Sequence, residues 1–474
     1  MRIASIGDLL SVLPTARLVG SAGAKRRAVA GFSTDSRSLK KRDLFIALVG
    51  ERFDGHSFVA HADGASAALV NESWLAEHPD VVAPVPLIAV EDTLRAYGDI
   101  AAAHRASLSI PIVAIAGSNG KTTTKELVAD LLATRYTVLR TEGNLNNLIG
   151  VPATILRITH EHTAAVIEIG TNTPGEIARL CEILRPTHGV ITNIGAEHLE
   201  LLGSLEGVAE EEGALYRSLA ETSGTAFVNL DDPYLAKMGR SLPLTVTYGR
   251  SARADVRGRI GRLDADGAPS IEITDRRRPD ARPIAVQLRT PGVHTAVNAL
   301  AASAIALSMK VTPTRVARTL AAFQPRAYAA GYARLAVVRT PLGATVLNDT
   351  YNANPDSVLA ALETLRAMKP ARGGRRIVVL GEMKELGASS ESEHARMGRE
   401  IVERGGVERA LFYGEAMRNA HHAIDGARGI DSSFFDDKRQ LIDTLLRELT
   451  AHDLVLVKGS RGMKMEEVVA ALLG

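Results

Sequence analysis

Residues 113–126 read VAIAGSNGKTTTKE, a stretch that leaves the backbone few choices. Val113 to Ala116 form an apolar run suited to a buried strand, and Leu127, Val128, Leu131 and Leu132 recur at helical spacing just downstream. The stretch therefore reads as strand, glycine loop, helix. In such a turn the backbone N–H groups of Gly117, Ser118, Asn119, Gly120 and Lys121 can point inward at the positive end of the helix dipole, a cradle for phosphate oxygens. Lys121 would reach the β and γ phosphates of ATP and the Thr122 hydroxyl would hold a magnesium ion, while Thr123 joins the ATP-binding residues of the loop. The strict pattern asks for glycine where Ile115 stands, so the loop is a shortened GxxGKTT form.

At 474 residues the chain is too long for one ordinary core, and length alone suggests about three domains. Residues 1–108 hold DLFIAL and AALV, then SWLAEHPDVVAPVPLIAV; Pro79, Pro84, Pro86 and Pro111 mark a loop and a boundary. This block reads as a small α/β unit. Across 109–325, IVAIA, AAVIEI, GVITNI and TAFVNL alternate with helical stretches, as in a parallel, doubly wound sheet. Residues 250–289 interrupt the alternation with arginine-rich sequence, expected to form solvated hairpins. Across 326–474, RIVVLGEM, ALFYGE and LVLVKGS each run into glycine, again as in an open α/β sheet.

Lys plus Arg total 56 against 54 for Asp plus Glu, and a net charge of +2 argues against nucleic-acid binding through a strong global field. Cys181, the single cysteine, excludes an intrachain disulfide and fits a reducing compartment. In EIARLCEILR it shares a helical face with Ile177, Leu180 and Leu184, the setting of a packed core thiol. No apolar run approaches the roughly 18 residues of a membrane span, and MRIASIGDLLSVL lacks the basic start and cleavage site of a signal peptide. A cytoplasmic location without membrane insertion is expected.

A magnesium nucleotide needs oxygen ligands besides Thr122, and open α/β sheets offer them at the C-terminal ends of strands. Glu168 ends the apolar run of AAVIEIGTN, where a carboxylate is costly unless it is paired or binds metal. His198, in TNIGAEHLE, is alone a satisfied surface or core histidine. Beside a phosphate loop and Glu168 it becomes a candidate for a second magnesium, although imidazole is an unusual ligand for so hard an ion. LNDTYNANPDS packs Asp349, Tyr351, Asn352 and Asn354 after an apolar strand, either as an Asn-Pro turn with caps or as groups that hold a ribose and stack on a base. In KGSRGMKMEEVV, Lys458, Ser460 and Arg461 stand at a strand end and suit an anionic carboxylate.

GSNGKTTTKE, EGNLNNLIGVP, IEIG, TNIGAEHLE, GVHTAVNALAA, DTYNANPDS, VLGEMKELG and VKGSRGMKMEEV occur in that order, and together they resemble the Mur ligases. FSTDSRSLKKRDLFIAL and GERFDGHSFV resemble that family's uridine-nucleotide domain, so the resemblance covers nearly the whole chain. It implies an α/β protein of three domains: an N-terminal uridine-nucleotide-binding domain (1–108), a central P-loop ATPase domain with a parallel sheet (109–325) and a C-terminal Rossmann-like domain (326–474). The implied activity is ATP-dependent amide synthesis by a monomer in peptidoglycan precursor synthesis, with ATP and Mg2+. The implied substrates are UDP-N-acetylmuramoyl-tripeptide and D-alanyl-D-alanine. The tripeptide carboxylate would attack the γ phosphate, and the dipeptide amine would then displace phosphate from the acyl phosphate.

The resemblance also implies roles. Lys121, Glu168 and His198 would carry the chemistry; Asp35, Ser36 and Arg37 would lie near UDP, and Asn146 and Asn147 near the sugar-peptide. Asn298 would contact adenine, with Asp349 and Tyr351 on the ribose side. An arginine after an FxP segment would reach the phosphates; in FQPRAYAAGYARL that is Arg334, with Arg326 the alternative. Where the family usually carries a carbamylated lysine, SLEGVAEEEGALY has Glu212. Glu212 either supplies that negative charge to a second magnesium or belongs to an acidic run on a solvated helix face. Two rival readings are a folylpolyglutamate-type ligase, which the uridine-type N-terminal block argues against, and a P-loop ATPase switch with no ligated product.

Overall fold

Short apolar runs without polar alternation become strands covered on both faces, and such strands form the centres of all three sheets of the computed structural model, which describes residues 3–50, 53–278, 280, 282–325 and 331–474. The first sheet holds β1 (Arg17–Val19), β2 (Gly31–Ser33), β3 (Asp43–Ile46), β4 (Ala67–Asn71) and β5 (Leu87–Val90) in the order β1-β5-β4-β3-β2. Its pairs are parallel except β1 with β5.

The second sheet holds β6 (Ile112–Ala116), β7 (Val138–Arg140), β8 (Ala164–Glu168), β9 (His188–Ile191), β10 (Thr225–Asn229), β11 (Thr245–Gly249), β12 (Val256–Leu263), β13 (Pro269–Asp275) and β14 (Ile284–Gln287). Their order is β14-β13-β12-β11-β10-β9-β6-β8-β7. After β6 the chain adds strands on one side, then returns with β9 on the other. The glycine loop thus follows the strand at which the order reverses, where open α/β sheets place ligands. The arginine-rich stretch does form the expected antiparallel ribbons, but it continues the sheet instead of interrupting it, since β12 pairs with β11. The reason is alternation: Val256, Gly258, Ile271 and Ile273 are buried, with Gly258 against Leu300, while Arg259 faces solvent beside Glu272.

The third sheet holds β15 (Ala336–Arg339), β16 (Thr345–Asp349), β17 (Arg376–Gly381), β18 (Arg409–Tyr413), β19 (Asp431–Phe435) and β20 (Leu454–Lys458), ordered β15-β16-β20-β17-β18-β19. Only β15 runs antiparallel, so this is an open parallel sheet with one reversed edge. By internal contacts the chain forms two compact units, residues 1–114, 136–171 and 175–188 in one and 115–135, 172–174 and 189–474 in the other. Cys181 is buried, as its helical face predicts.

One core histidine gives the third sheet a pH dependence. His394 is wholly buried on helix Ser390–Arg404; its Nε2 accepts the Met383 N–H at 3.0 Å, which leaves Nδ1–H to donate to the Ser390 carbonyl at 2.7 Å. Burial pushes its pKa down from 6.5. A base depressed in this way stabilises the fold fully above its unfolded pKa and loses that contribution as pH falls through the folded one. Urea midpoints followed by circular dichroism should therefore decline as pH drops below 6.5. His394→Met should flatten that decline without abolishing it, because burial also lowers His188 and His294. An unaltered slope in the variant would assign the decline to other groups.

Candidate active site

Only Gly117, Ser118, Asn119 and Gly120 separate β6 from the helix Lys121–Ala133. Gly117 and Gly120 have φ of 108° and 80°, in the region that disfavours any side chain. A Cβ on Gly117 would stand 2.4 Å from Thr192 Oγ1, and one on Gly120 would stand 2.6 Å from Asn298 Oδ1. The segment after β9 forms the floor of the loop. Ser118 N–H donates to the Asn193 carbonyl at 3.0 Å, and Asn119 N–H to Asn193 Oδ1 at 3.1 Å. Thr192 and Asn193 side chains donate in return to the Asn119 carbonyl, at 2.6 and 2.9 Å. Gly117 N–H donates to Glu212 Oε2 at 2.8 Å. The first three N–H groups of the loop therefore bind protein, which corrects the expectation that all of them point inward. It shifts the cradle toward Gly120 and the helix N-terminus.

Lys121 Nζ lies 3.1 Å from Glu197 Oε2 and 3.4 Å from the Ser118 carbonyl. Glu212, on helix Leu205–Glu221, is 0% exposed, and Glu211 beside it is buried too, so the solvated-face reading of the acidic run fails. Glu212 Oε1 and Glu197 Oε1 are buried without a hydrogen-bond partner among the described residues. Burial, then the Glu197 charge, pushes Glu212 up to about 8, while Lys121 pulls the other way. Glu197 holds the Lys121 ammonium while buried Glu212 feels both charges, and buried oxygens with unused lone pairs suit a hard cation.

The third sheet brings its own residues to the loop. Arg334 donates to Thr122 Oγ1 at 3.2 Å, and its guanidinium lies 4.2 Å from the Tyr351 ring centroid. Arg326 lies outside the described residues. Arg461 stacks on Tyr332 at 3.3 Å and stands 5.4 Å from Tyr351, so two guanidinium groups and two tyrosines form one cluster. Lys458 is buried and donates to Asp349 Oδ2 at 2.6 Å and to the Asn352 carbonyl at 2.8 Å. Its charge is thus matched inside the protein, and burial pushes its pKa down. Ser460 Oγ donates to the Ala353 carbonyl and accepts the Lys384 N–H. Of the three residues expected to meet a carboxylate, Arg461 is the one that faces solvent. His198, at φ 48°, pairs through Nδ1 with Glu385 at 2.8 Å. Asn298 sits under Gly120, where its amide fills the space a side chain would need.

The other unit holds the remaining residues. Glu168, buried at the end of β8, accepts from Asn146 Nδ2 at 3.0 Å. Asn147 Oδ1 accepts the Ile149 and Gly150 N–H groups, holding the start of helix Gly150–Leu156. Asp35 and Arg37 flank Ser36 and form a two-point ion pair at the surface, where the guanidinium draws the Asp35 carboxyl down to about 2. Sequence reasoning passed over Asn193, Glu197, Tyr332 and Glu385. Asn193 and Glu197 lie inside TNIGAEHLE, where two polar residues after a buried strand were the available signal.

Fold and loop together define a P-loop-type α/β nucleotide-binding protein in which an arginine beside the third sheet reaches the helix that follows the loop. Residues 28–105 match the Mur ligase family catalytic domain, 115–306 the Mur ligase middle domain and 333–461 the Mur ligase glutamate ligase domain. The chain belongs to the Mur ligase family. It is 38% identical over 449 residues to the UDP-N-acetylmuramoyl-tripeptide–D-alanyl-D-alanine ligase of Escherichia coli K12, covering 93% of each chain. The Bacillus subtilis enzyme of the same name is 33% identical, with 95% and 94% covered. Among solved structures, MurF from Acinetobacter baumannii superposes with a TM-score of 0.85 at 29% identity, over 100% of this chain and 99% of that one. MurF from Thermotoga maritima in complex with ADP gives 0.80 at 25% identity, over 96% and 98%.

Two glycines separate strain from clash. Gly175, like Gly120, precedes a helix at φ near 90°, but a Cβ there meets nothing within 4 Å. Gly120→Ala should lower thermal stability by about 1–3 kcal/mol and weaken ADP binding, whereas Gly175→Ala should cost only its backbone strain, about 1 kcal/mol. Equal losses in melting and ADP-binding assays would show that the Asn298 contact contributes nothing.

Proposed function

We propose that this chain joins D-alanyl-D-alanine to UDP-N-acetylmuramoyl-tripeptide, with ATP cleaved to ADP and phosphate, in the cytoplasm and as a monomer. The observation that carries the reading is likeness over 93% or more of the chain to ligases of that name, combined with a glycine loop whose helix an arginine beside the third sheet reaches at Thr122. The proposed division of labour is 1–108 for the uridine nucleotide, 109–325 for ATP and 326–474 for the incoming dipeptide. Among the described residues no helix is long and apolar enough to cross a membrane.

Joining a carboxylate to an amine requires an activated acyl group. The tripeptide carboxylate oxygen bonds to the γ phosphorus and the bond to ADP breaks; the amine nitrogen then bonds to the acyl carbon and phosphate leaves. The first step brings two anions together, and the second, in which the attacking amine gives up a proton, builds negative charge on the acyl oxygen, so Lys121 and Arg334 act by offsetting charge that grows in the transition state. Lys121 must exchange Glu197 for phosphate oxygens as ATP enters. Bound magnesium would neutralise the triphosphate; Thr122, Glu168, His198 and Glu212 are the residues proposed to hold it, and the buried, unpartnered Glu212 oxygen fits that use. Asp35, Ser36 and Arg37 are proposed for the uridine nucleotide, Asn146 and Asn147 for the peptide, Asn298, Asp349 and Tyr351 for the nucleoside of ATP. For the dipeptide carboxylate, Arg461 is better placed than Lys458, whose charge Asp349 already meets.

Phosphate release should require both the UDP-linked tripeptide and D-alanyl-D-alanine, with one amide formed per phosphate. Full-rate ATP hydrolysis without either would mark a switch instead. Lys121→Ala should cut ligation by at least about a hundredfold while the fold persists, as removal of a transition-state charge partner does. Glu212→Gln should raise the magnesium concentration needed for half-maximal rate and lower turnover, while omission of bicarbonate should leave the wild type unaffected. A glutamine variant that follows the wild-type magnesium titration would remove Glu212 from the metal.

A further inference from the structure

The loop after β9 does more than floor the phosphate loop. Residues 195–200 are gripped from two sides by the segments that follow β16 and β17. On one side, Asp356 Oδ2 accepts the Ala196 N–H at 3.0 Å and leaves no room at Gly195, where a Cβ would stand 2.4 Å from the same oxygen. Asn354 Nδ2 donates to Asn119 Oδ1, in the phosphate loop itself, at 3.0 Å. The Asn354 amide cannot turn over, because its Oδ1 accepts the Ser357 N–H at 2.9 Å and caps helix Pro355–Ala367. On the other side, Glu385 takes His198 Nδ1 at 2.8 Å, its carbonyl accepts the Glu200 N–H at 3.4 Å, and a Cβ on Gly387 would stand 3.1 Å from the Glu200 Cα. His198 and Glu385 meet although both hold left-handed φ, 48° and 66°, a strain that persists only where surrounding contacts enforce it. The gripped loop carries Glu197, the partner of Lys121.

We propose that Asp356 and Asn354 are positioning residues, a latch that seats the third sheet on residues 119 and 195–196 and so fixes Lys121, Glu197 and His198 for reaction. The proposal rests on the reading of the glycine loop as the ATP site. Neither side chain touches nucleotide in this scheme; they act through the loops they hold. The latch explains why a helix start rich in small polar groups, NANPDS, follows β16: the turn that caps the helix also presents an amide and a carboxylate outward to another block.

The test is a double-mutant cycle between Gly195 and Asp356. Gly195 has no left-handed φ, and a Cβ there clashes only with Asp356, since the next neighbour, Asn119 Nδ2, stands at an ordinary contact distance of 3.4 Å. We expect Gly195→Ala and Asp356→Ala each to lower kcat for ligation by about tenfold, with ADP affinity within about threefold of wild type, the size of effect expected from one lost positioning hydrogen bond. In the Asp356→Ala background, Gly195→Ala should cost nothing further, because the clashing oxygen is gone. Asn354→Ser keeps the helix cap but cannot reach Asn119, and it should also lower kcat without shifting the melting temperature. A Gly195→Ala penalty of equal size in both backgrounds, or wild-type kcat in Asp356→Ala and Asn354→Ser, overturns the latch. Failure of the unaltered protein to bind ADP would overturn the nucleotide reading instead.

Discussion

Backbone N–H groups can face a phosphate only if nothing stands where Cβ atoms would be, and here that condition is set by two contacts: Gly117 on Thr192 and Gly120 on Asn298. Both neighbours belong to other elements, so the loop is not a self-contained turn. Its shape is inherited from the segment after β9 and from helix Val293–Ser308. Once Asn193 takes the Ser118 and Asn119 N–H groups, the loop and that segment move as one piece. Everything downstream follows from this union. The segment that floors the loop also carries Glu197 and His198, and therefore any displacement of residues 195–200 is felt at Lys121.

The charges around the site are arranged for selectivity more than for stability. A buried ion pair gains little over apolar packing once desolvation is subtracted, but removing one partner is strongly unfavourable. Asp349 and Lys458 form such a pair, and they are direct register partners at the ends of the neighbouring strands β16 and β20. A shift of either strand by one residue would bury two unpaired charges, so the pair fixes register. Lys121, Glu197 and Glu212 have the opposite character: Glu197 pairs with Lys121 while its charge and burial push the neighbouring Glu212 carboxyl up, a crowding of like charges that anionic or cationic ligands can relieve.

Most of the architecture was legible because it rests on local patterns. IVAIA, AAVIEI and RIVVLGEM are strands where apolar runs place them, and helix Lys121–Ala133 starts at the residue after the loop. The N-terminal α/β block and the hairpins of the arginine-rich stretch were legible for the same reason. What escaped was non-local. That Glu212 is buried while Glu210 is not depends on what helix Leu205–Glu221 packs against, and an acidic run carries no mark of that. Lys458 looked like a substrate group because a lysine at a strand end usually faces a ligand; its partner lies over a hundred residues earlier, in a different motif. Asn193 and Glu197 were visible as letters of TNIGAEHLE, yet their roles depend on Asn119 and Lys121, on another strand's loop.

The strand order of the third sheet carries a consequence for how the protein comes into being. β20 is synthesised after the other five strands of this sheet, yet it lies between β16 and β17 and is hydrogen-bonded to both. Until residues 454–458 arrive, β16 and β17 have no common neighbour, and the apolar faces of Val346, Leu347, Ile377 and Val379 have nothing between them to pack on. Contacts of such large sequence separation form late and slowly. During translation this region is therefore a half-open book with two apolar pages, the kind of intermediate that needs shielding from its neighbours until the final strand slides in.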